Sequence, residues 1–225
     1  MSDPLASAFA AIVARRRSVR GFTSEPVPVP VLRQIFELAA RAPSNCNTQP
    51  WQVYVASGAT CERLRQRLPA ALAAGDYQMD FDYSGSYAGP YKERQRDAAA
   101  RLYAAMGIER ADKAARAVAF DRNFRFFGAP HVAFLFLPEA FGLREAADVG
   151  MFADSLMLAM AAFGVASCPQ TALSFNARVV REELQVDASN KLLFGISFGY
   201  EDPAESANAC RVDRAPLAEN IHFVD

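Results

Sequence analysis

The chain carries two informative stretches near its N-terminus, RRSVRGF at residues 16–22 and APSNCNTQPW at residues 42–51. A predicted helix separates them. The first stretch offers guanidinium groups and a hydroxyl, which suit a phosphate. The second places amides, a hydroxyl and backbone N–H groups in a tight turn, which suits a polar heterocycle. Together they predict one ligand with both a phosphate and a ring, and flavin mononucleotide (FMN) fits that description.

The first stretch contributes Arg16, Arg17, Ser18 and Arg20 to the predicted phosphate site. A phosphate monoester is nearly dianionic at neutral pH, and arginine meets it with a planar fork that lysine lacks. Considered alone, the cluster also fits solvated cations at a helix C-terminus, where they complement the helix dipole. A nucleic-acid patch is a third interpretation, weakened because no further basic run occurs.

The second stretch contributes Ser44, Asn45, Asn47 and Gln49, whose polar groups can pair with the edge of a flavin ring. The alternative is an ordinary polar loop, in which Ser and Asn are common. The bulky Trp51, directly after Pro50, anchors the turn and favours the binding interpretation.

Composition excludes several functional classes. The chain has 225 residues with 24 basic and 25 acidic side chains, so nucleic acid and anionic membranes are not expected partners. Four cysteines without a C-x-x-C pair and two distant histidines predict no metal site and reduced thiols in the cytoplasm.

The N-terminus lacks the features of a secretory leader. The apolar segment 151–168 is interrupted by Asp154 and is interpreted as a buried or interface helix rather than a membrane span.

Periodicity predicts more helices than strands. Helix one covers residues 5–13, with Ser2 or Asp3 as its cap, and strands are expected at 51–56, 131–137, 165–168 and 192–200. Further helices are predicted at 32–39, 64–72, 91–106, 109–120, from 151 onward, and at 176–184. Residues 76–89 show no period and are interpreted as a long functional loop. This pattern predicts a single α+β domain over residues 1–225.

Three weaker candidates lie further along the chain. Gln170, Thr171 and Ala172 follow a predicted strand and suit a backbone donor, or form a simple connection. Arg211 and Arg214 either fold back onto a phosphate or are surface charges. Phe124 belongs to an aromatic cluster with the phenylalanines at 126 and 127, in which one ring is a candidate wall over a planar substrate.

Taken in order, these segments closely resemble the FMN-dependent nitroreductase family, from Arg16 to the Arg214-Ala215-Pro216-Leu217 tail. The resemblance implies a sandwich with a mainly antiparallel sheet flanked by helices. It also implies an intertwined homodimer that binds two FMN molecules at its interface.

The same resemblance implies a role for each matching residue. The FMN phosphate and ribityl chain would be met by Arg16, Arg17, Ser18 and Arg214. The pyrimidine edge would be approached by Arg20. The ring would be lined from the partner subunit by Pro43, Ser44, Asn45 and Asn47, with Gln49 nearby. The reactive N5 would face the backbone of Gln170, Thr171 and Ala172. No match to the family's polar flavin contacts occurs in the loop 76–89.

The implied activity is reduction of nitroaromatic or quinone-type acceptors by NADH or NADPH, with ping-pong transfer through flavin N5. No catalytic side chain is expected, because the cofactor carries the chemistry. Two alternatives stay open: a flavin reductase for another acceptor, such as an enone or a halogenated phenol, and a non-catalytic FMN-binding protein. The sequence does not choose between NADH and NADPH.

Overall fold

The structure is a computed structural model that describes residues 3–224, which form seven α-helices and four β-strands. The helices are α1 Pro4–Arg15, α2 Val29–Ala39, α3 Gly58–Ala73, α4 Gly89–Ala105, α5 Lys113–Asp121, α6 Leu143–Ala162 and α7 Ala177–Leu184. The strands are β1 Gln52–Ser57, β2 His131–Pro138, β3 Ala166–Gln170 and β4 Asn190–Gly199.

The four strands form one sheet in the order β1-β2-β4-β3, and every neighbouring pair is antiparallel. Strands far apart in the chain are therefore neighbours, and helices fill the connections. This architecture confirms the predicted α+β sandwich with a mainly antiparallel sheet.

The central strand β2 is buried along its length, and its side chains alternate between two cores. Phe134 and Phe136 belong to a cluster that includes residues of α3 and α7. Ala133 and Leu135 belong to a second cluster that includes residues of α2 and α6. Each large side chain buried in this way contributes about 1.5–3 kcal/mol. The sheet is thus the middle layer between two layers of helices.

Three predicted helix starts were wrong by four residues or more. The helix expected at 64–72 is α3, which already starts at Gly58. The helix expected from residue 151 is α6, which starts at Leu143 and stops at Ala162, where Gly164 takes a left-handed backbone with φ +76°. The helix expected from residue 109 is α5, which starts only at Lys113 because the Asp112 side chain caps it, accepting the Ala115 N–H at 2.8 Å. The residues before Asp112 form a turn.

The first helix leaves most of its apolar side chains exposed in the described chain. Asp3 caps α1 by accepting the Leu5 N–H at 2.8 Å, whereas the alternative cap Ser2 lies outside the described residues. None of the residues Pro4–Arg15 is buried, and the apolar side chains of Leu5 and Phe9 are 80% and 58% exposed. The apolar C-terminal residues Phe223 and Val224 are 84% and 91% exposed. Both ends of the described chain therefore present apolar surface to solvent.

Among residues 3–224, no helix has the length and hydropathy that crossing a bilayer requires. Over the same residues, no group of three His, Cys, Asp or Glu side chains is placed to hold a metal ion.

Candidate functional site

The segment 16–22 leaves α1 and runs beside strand β3. The Val19 N–H donates to the carbonyl of Ser167 at 3.0 Å, and the Thr23 N–H donates to Tyr200 O at 2.9 Å. The side chain of Val19 is buried in the core, whereas Ser18 and Arg20 on either side of it are half-buried. The extended backbone thus turns the polar side chains of this stretch away from the core.

A buried asparagine holds the segment from behind. Asn208 is 4% exposed, and its side-chain oxygen accepts the Arg20 N–H at 2.7 Å. Its amide nitrogen donates to Gly21 O at 2.9 Å and to Asp202 O at 3.0 Å. Three backbone groups are therefore satisfied by one side chain, which fixes the position of Arg20.

An ion pair also contacts the backbone of the segment 16–22. The Arg122 guanidinium pairs with Glu205 at 2.6 Å and also donates to Arg20 O at 3.0 Å. It holds the pKa of the Glu205 carboxyl below its usual value. A side chain at Gly21 would meet this carboxylate, since an added Cβ would lie 2.1 Å from the Cγ of Glu205. Close approach of the glutamate therefore requires glycine here.

The arginines of the first stretch line one large cavity together with residues from the far end of the chain. Its volume is about 590 Å³, and its polar lining includes Arg16, Arg17, Ser18, Arg20, Arg211, Asp213 and Arg214. The structure therefore brings Arg214 and Arg211 to the predicted phosphate residues. The volume lies within the roughly 300–1,000 Å³ typical of small-molecule sites.

The charges in this cavity are unbalanced. Arg17 pairs with Glu201, and Asp213 pairs with Arg101 outside the cluster at 2.9 Å. Across the described chain, Arg16, Arg20, Arg211 and Arg214 form no ion pair with a carboxylate. In addition, the Nη1 atom of Arg17 is buried without a hydrogen-bond partner. A buried charged donor without a partner is costly, so this atom indicates a missing acceptor.

The amide-rich turn lies outside that cavity. Asn45, Asn47 and Gln49 are exposed, and the backbone φ is positive at Cys46, Asn47 and Gln49. The Ser44 hydroxyl accepts the Gln49 N–H at 2.9 Å, so the turn is ordered by its own side chains. No residue of this turn lines the arginine cavity of the same chain.

Helix α6 fixes the turn. The Asp148 carboxylate, 4% exposed on α6, accepts the Asn45 N–H at 3.0 Å. The Trp51 ring stacks on Phe152 of the same helix, with centroids 5.0 Å apart. The predicted anchoring of the turn by Trp51 is confirmed.

Gln170 ends β3, and its side chain is occupied inside the protein. Its amide donates to Asn123 O at 2.9 Å, and its oxygen accepts a hydrogen bond from Ser197. The side chain is thus a structural link, and only the backbone of residues 170–172 is available for the predicted flavin contact. Thr171 is exposed and Ala172 half-buried.

Phe124 does not present a free ring face in this chain. It is 1% exposed and packs against Phe120 and Phe175, with centroids 5.5 Å and 6.4 Å away. This burial argues against the predicted substrate wall at Phe124. The neighbouring Phe120 is 44% exposed and lines a small cavity of about 80 Å³ with Arg20. Phe120 is therefore better placed than Phe124 to touch a ligand.

Residues 76–88 form an irregular segment, as predicted, but part of it is firmly attached. The Gln78 N–H donates to Phe175 O at 2.9 Å, and the Asp80 carboxylate pairs with Arg181. Asp80 also accepts the Leu192 N–H at 2.7 Å. The start of the loop is therefore tied to α7 and β4.

Two of the four cysteines and one histidine are buried away from the candidate site, whereas Cys46 is exposed in the turn and Cys210 lines the arginine cavity. Burial raises the pKa of the Cys61 and Cys168 thiols to about 11, which keeps them protonated. The His131 ring lies between the Val27 N–H, 2.9 Å from Nε2, and the Ser57 hydroxyl, 2.6 Å from Nδ1. These contacts tie His131 to the segment before α2 and to the end of β1.

Four supporting residues escaped the sequence analysis: Asp148, Arg122, Glu205 and Asn208. Asp148, Arg122 and Asn208 each bond a backbone group that is distant in sequence, and Glu205 pairs with the distant Arg122 side chain, so no local motif marks them. Helix α6 carries three carboxylates, Glu145, Asp148 and Asp154, and nothing in the sequence distinguishes Asp148 from the other two.

Comparisons with known proteins agree with this geometry. The model of the nitroreductase family matches residues 13–200. The nitroreductase NfnB of Mycolicibacterium smegmatis is 47% identical over 220 residues, covering 97% of this chain and 94% of that protein. A 4-nitrobenzoate reductase of Pseudomonas putida is 33% identical, covering 96% of this chain and 95% of that protein.

Solved structures extend the likeness to three dimensions. The crystal structure of the FMN-dependent nitroreductase NfnB from Mycobacterium smegmatis, in complex with NADPH, matches with a TM-score of 0.95. It covers 98% of this chain and 100% of that chain, at 47% identity. The chain therefore belongs to the nitroreductase family.

Proposed function

We propose that this protein is an FMN-dependent reductase that uses NADPH or NADH to reduce nitroaromatic or quinone-type acceptors. The observation that carries the proposal is the arginine cavity with its buried, unpartnered Arg17 Nη1. Relatives of nearly full length are nitroreductases, and one structural relative is FMN-dependent and was solved with NADPH.

The phosphate of FMN fits the charge imbalance of this cavity. Arg16, Arg17, Ser18 and Arg214 supply charge-assisted donors for its oxygens. Arg211 lines the same cavity and is a further candidate for this contact.

The ring fits a second set of residues. Pro43, Ser44, Asn45, Asn47 and Gln49 offer amide, hydroxyl and backbone groups on an ordered turn. Since this turn lies outside its own chain's arginine cavity, we assign it to the FMN of a partner subunit. The protein is then a homodimer, which would also cover the apolar surfaces of α1 and the C-terminal tail.

The residues around the ring bind and orient rather than react. When bound, FMN supplies the hydride and electron transfer between the nicotinamide and the acceptor. Arg20, held by Asn208 and Arg122, places a positive charge at the pyrimidine edge and favours added negative charge there. The backbone of Gln170, Thr171 and Ala172 would bind the N5 edge of the ring. No side-chain nucleophile is required.

We also propose a domain organisation and a cellular location. We place residues 1–225 in one domain, supported by the single sheet with a core on each face. We place the protein in the cytoplasm, supported by four cysteines that are all free in the structure.

An anaerobic reductive titration tests the function. The purified dimer should be yellow, lose its colour with NADPH or NADH, and regain it on addition of a nitroarene without oxygen. A protein that holds FMN but is not bleached would be a passive binder. Colour that returns only with oxygen would contradict the acceptor class. Analytical ultracentrifugation should give twice the mass of one chain.

A further inference from the structure

A second cavity lies between α4, α5 and the segment that connects them, and we call it the α4–α5 pocket. Its volume is about 400 Å³. It shares no lining residue with the arginine cavity of the candidate FMN site. Any ligand bound there is therefore separate from the groups assigned to the FMN phosphate.

The floor of the α4–α5 pocket is apolar. Ala100, Tyr103 and Ala104 lie on one face of α4, and Ile108 follows in the connecting segment. Tyr103 and Ile108 are half-buried. These side chains form a surface for a flat apolar group, with the aromatic ring of Tyr103 as one wall.

The rim of the pocket is positively charged. Arg96, Arg110 and Arg116 line it, and no carboxylate does so within the described chain. These three arginines also form no ion pair there, whereas Arg94 and Arg101 on the same helix pair with Glu219 and Asp213. A groove lined by Arg94 and Arg214 shows the contrast, since its lining also contains the four carboxylates of Glu93, Asp97, Asp213 and Glu219.

We propose that the α4–α5 pocket binds an aromatic monocarboxylate, with its ring on the apolar floor and its carboxylate among the three arginines. Guanidinium forks match a carboxylate and also stack on flat rings. Apart from the Tyr103 hydroxyl, the lining side chains offer no hydroxyl, amide or carboxylate for a sugar or a base edge, which disfavours a nucleotide. The volume suits a ligand of one or two fused rings.

Calorimetric titration of the FMN-loaded dimer with 2-naphthoate tests the proposal. 2-Naphthamide, which has the same rings and no charge, should bind at least about tenfold more weakly, because it cannot form a bidentate ion pair with a guanidinium. The affinity for 2-naphthoate should fall as salt is raised.

Variants locate the site. Arg96→Gln with Arg116→Gln should weaken 2-naphthoate binding at least about tenfold. The matched control, Arg33→Gln with Arg144→Gln, removes two exposed and unpaired arginines outside the pocket and should change it less than about twofold. Ala104→Phe fills the floor without changing charge and should also abolish binding. Thermal melts confirm that each variant is folded.

The proposal would be overturned if the arginine variant and Ala104→Phe both bound 2-naphthoate with wild-type affinity. It would also be overturned if the wild-type dimer showed no saturable binding. The flavin content of the same samples reports on the candidate FMN site independently. Kinetics with 4-nitrobenzoate and nitrobenzene distinguish a ligand that is reduced in the reaction from one that does not react. A raised KM for 4-nitrobenzoate alone identifies the ligand as an acceptor, and unchanged kinetics with lost naphthoate binding identify a non-reacting ligand.

Discussion

Replacing Asn208 by alanine is the sharpest test of how the candidate site is positioned. The side chain satisfies the Arg20 N–H, Gly21 O and Asp202 O through bonds of 2.7 Å, 2.9 Å and 3.0 Å, and it is 4% exposed. At about 1 kcal/mol for each hydrogen bond, Asn208→Ala should lower the free energy of unfolding by about 3 kcal/mol. For a chain of this size, that loss corresponds to a fall of about 6–12 °C in Tm.

The effect should extend to the cofactor, because the loosened backbone carries Arg20, which lines the arginine cavity. FMN released by acid and measured by absorbance should fall below that of the wild type at equal protein. Asn208→Asp is a second variant: it keeps the acceptor for the Arg20 N–H but turns a carboxylate oxygen toward two carbonyls. It should be destabilised at least as much as Asn208→Ala at neutral pH.

The control is Asn220→Ala, at an exposed position, which should leave Tm within about 1 °C of the wild type. The measurement is made on FMN-free protein, so that cofactor binding does not contribute to the difference. If FMN-free Asn208→Ala melted at the wild-type temperature, the argument that this side chain fixes the segment 16–22 would be refuted.

Three further predictions follow from other parts of the structure. Arg16→Ala combined with Arg17→Ala should strip FMN from the purified dimer, and wild-type flavin absorbance per chain would disprove the phosphate assignment. Asp148→Ala removes a charge-assisted acceptor from the Asn45 N–H, so it should cost about 1.5–3 kcal/mol in urea unfolding and weaken FMN binding. Burial lowers the pKa of His131, so its neutral form stabilises the fold above the unfolded-state pKa of 6.5, and that stability is lost as pH falls below this value. Urea unfolding at pH 7.5 and 5.5 should show the loss, and an equal loss in His131→Gln would exclude this histidine as its cause.

The sequence predicted the sheet well because burial imposes a visible pattern there. The apolar run at 131–137 needs protection on both faces, and the structure places it at the centre of the sheet. The predicted turn also formed, because Pro50 and Trp51 restrict it locally and Trp51 stacks on α6. Features specified by neighbouring residues were therefore accessible to sequence reasoning.

Sequence reasoning did not reach the features that depend on residues distant in the chain. The start of α6 at Leu143, eight residues before the apolar run, was also missed, although its signal is local, since the Glu145 side chain accepts the Gly142 N–H at 3.0 Å. The spacing of apolar residues predicted α1 correctly, yet it did not reveal that the described chain leaves this face uncovered. Phe124 was proposed as a substrate wall because an aromatic cluster does not show which ring faces outward.

The separation of the amide turn from the arginine cavity of its own chain makes complementation a direct consequence of the proposed dimer. In each dimer, one site takes arginines from the first chain and the turn from the second, and the other site takes the reverse. A chain without Arg16 and Arg17, mixed with a chain whose turn lacks its polar groups, would form dimers with one intact site and one doubly defective site. Two preparations that are colourless on their own would then recover, after subunit exchange, up to half of the normal flavin in each mixed dimer.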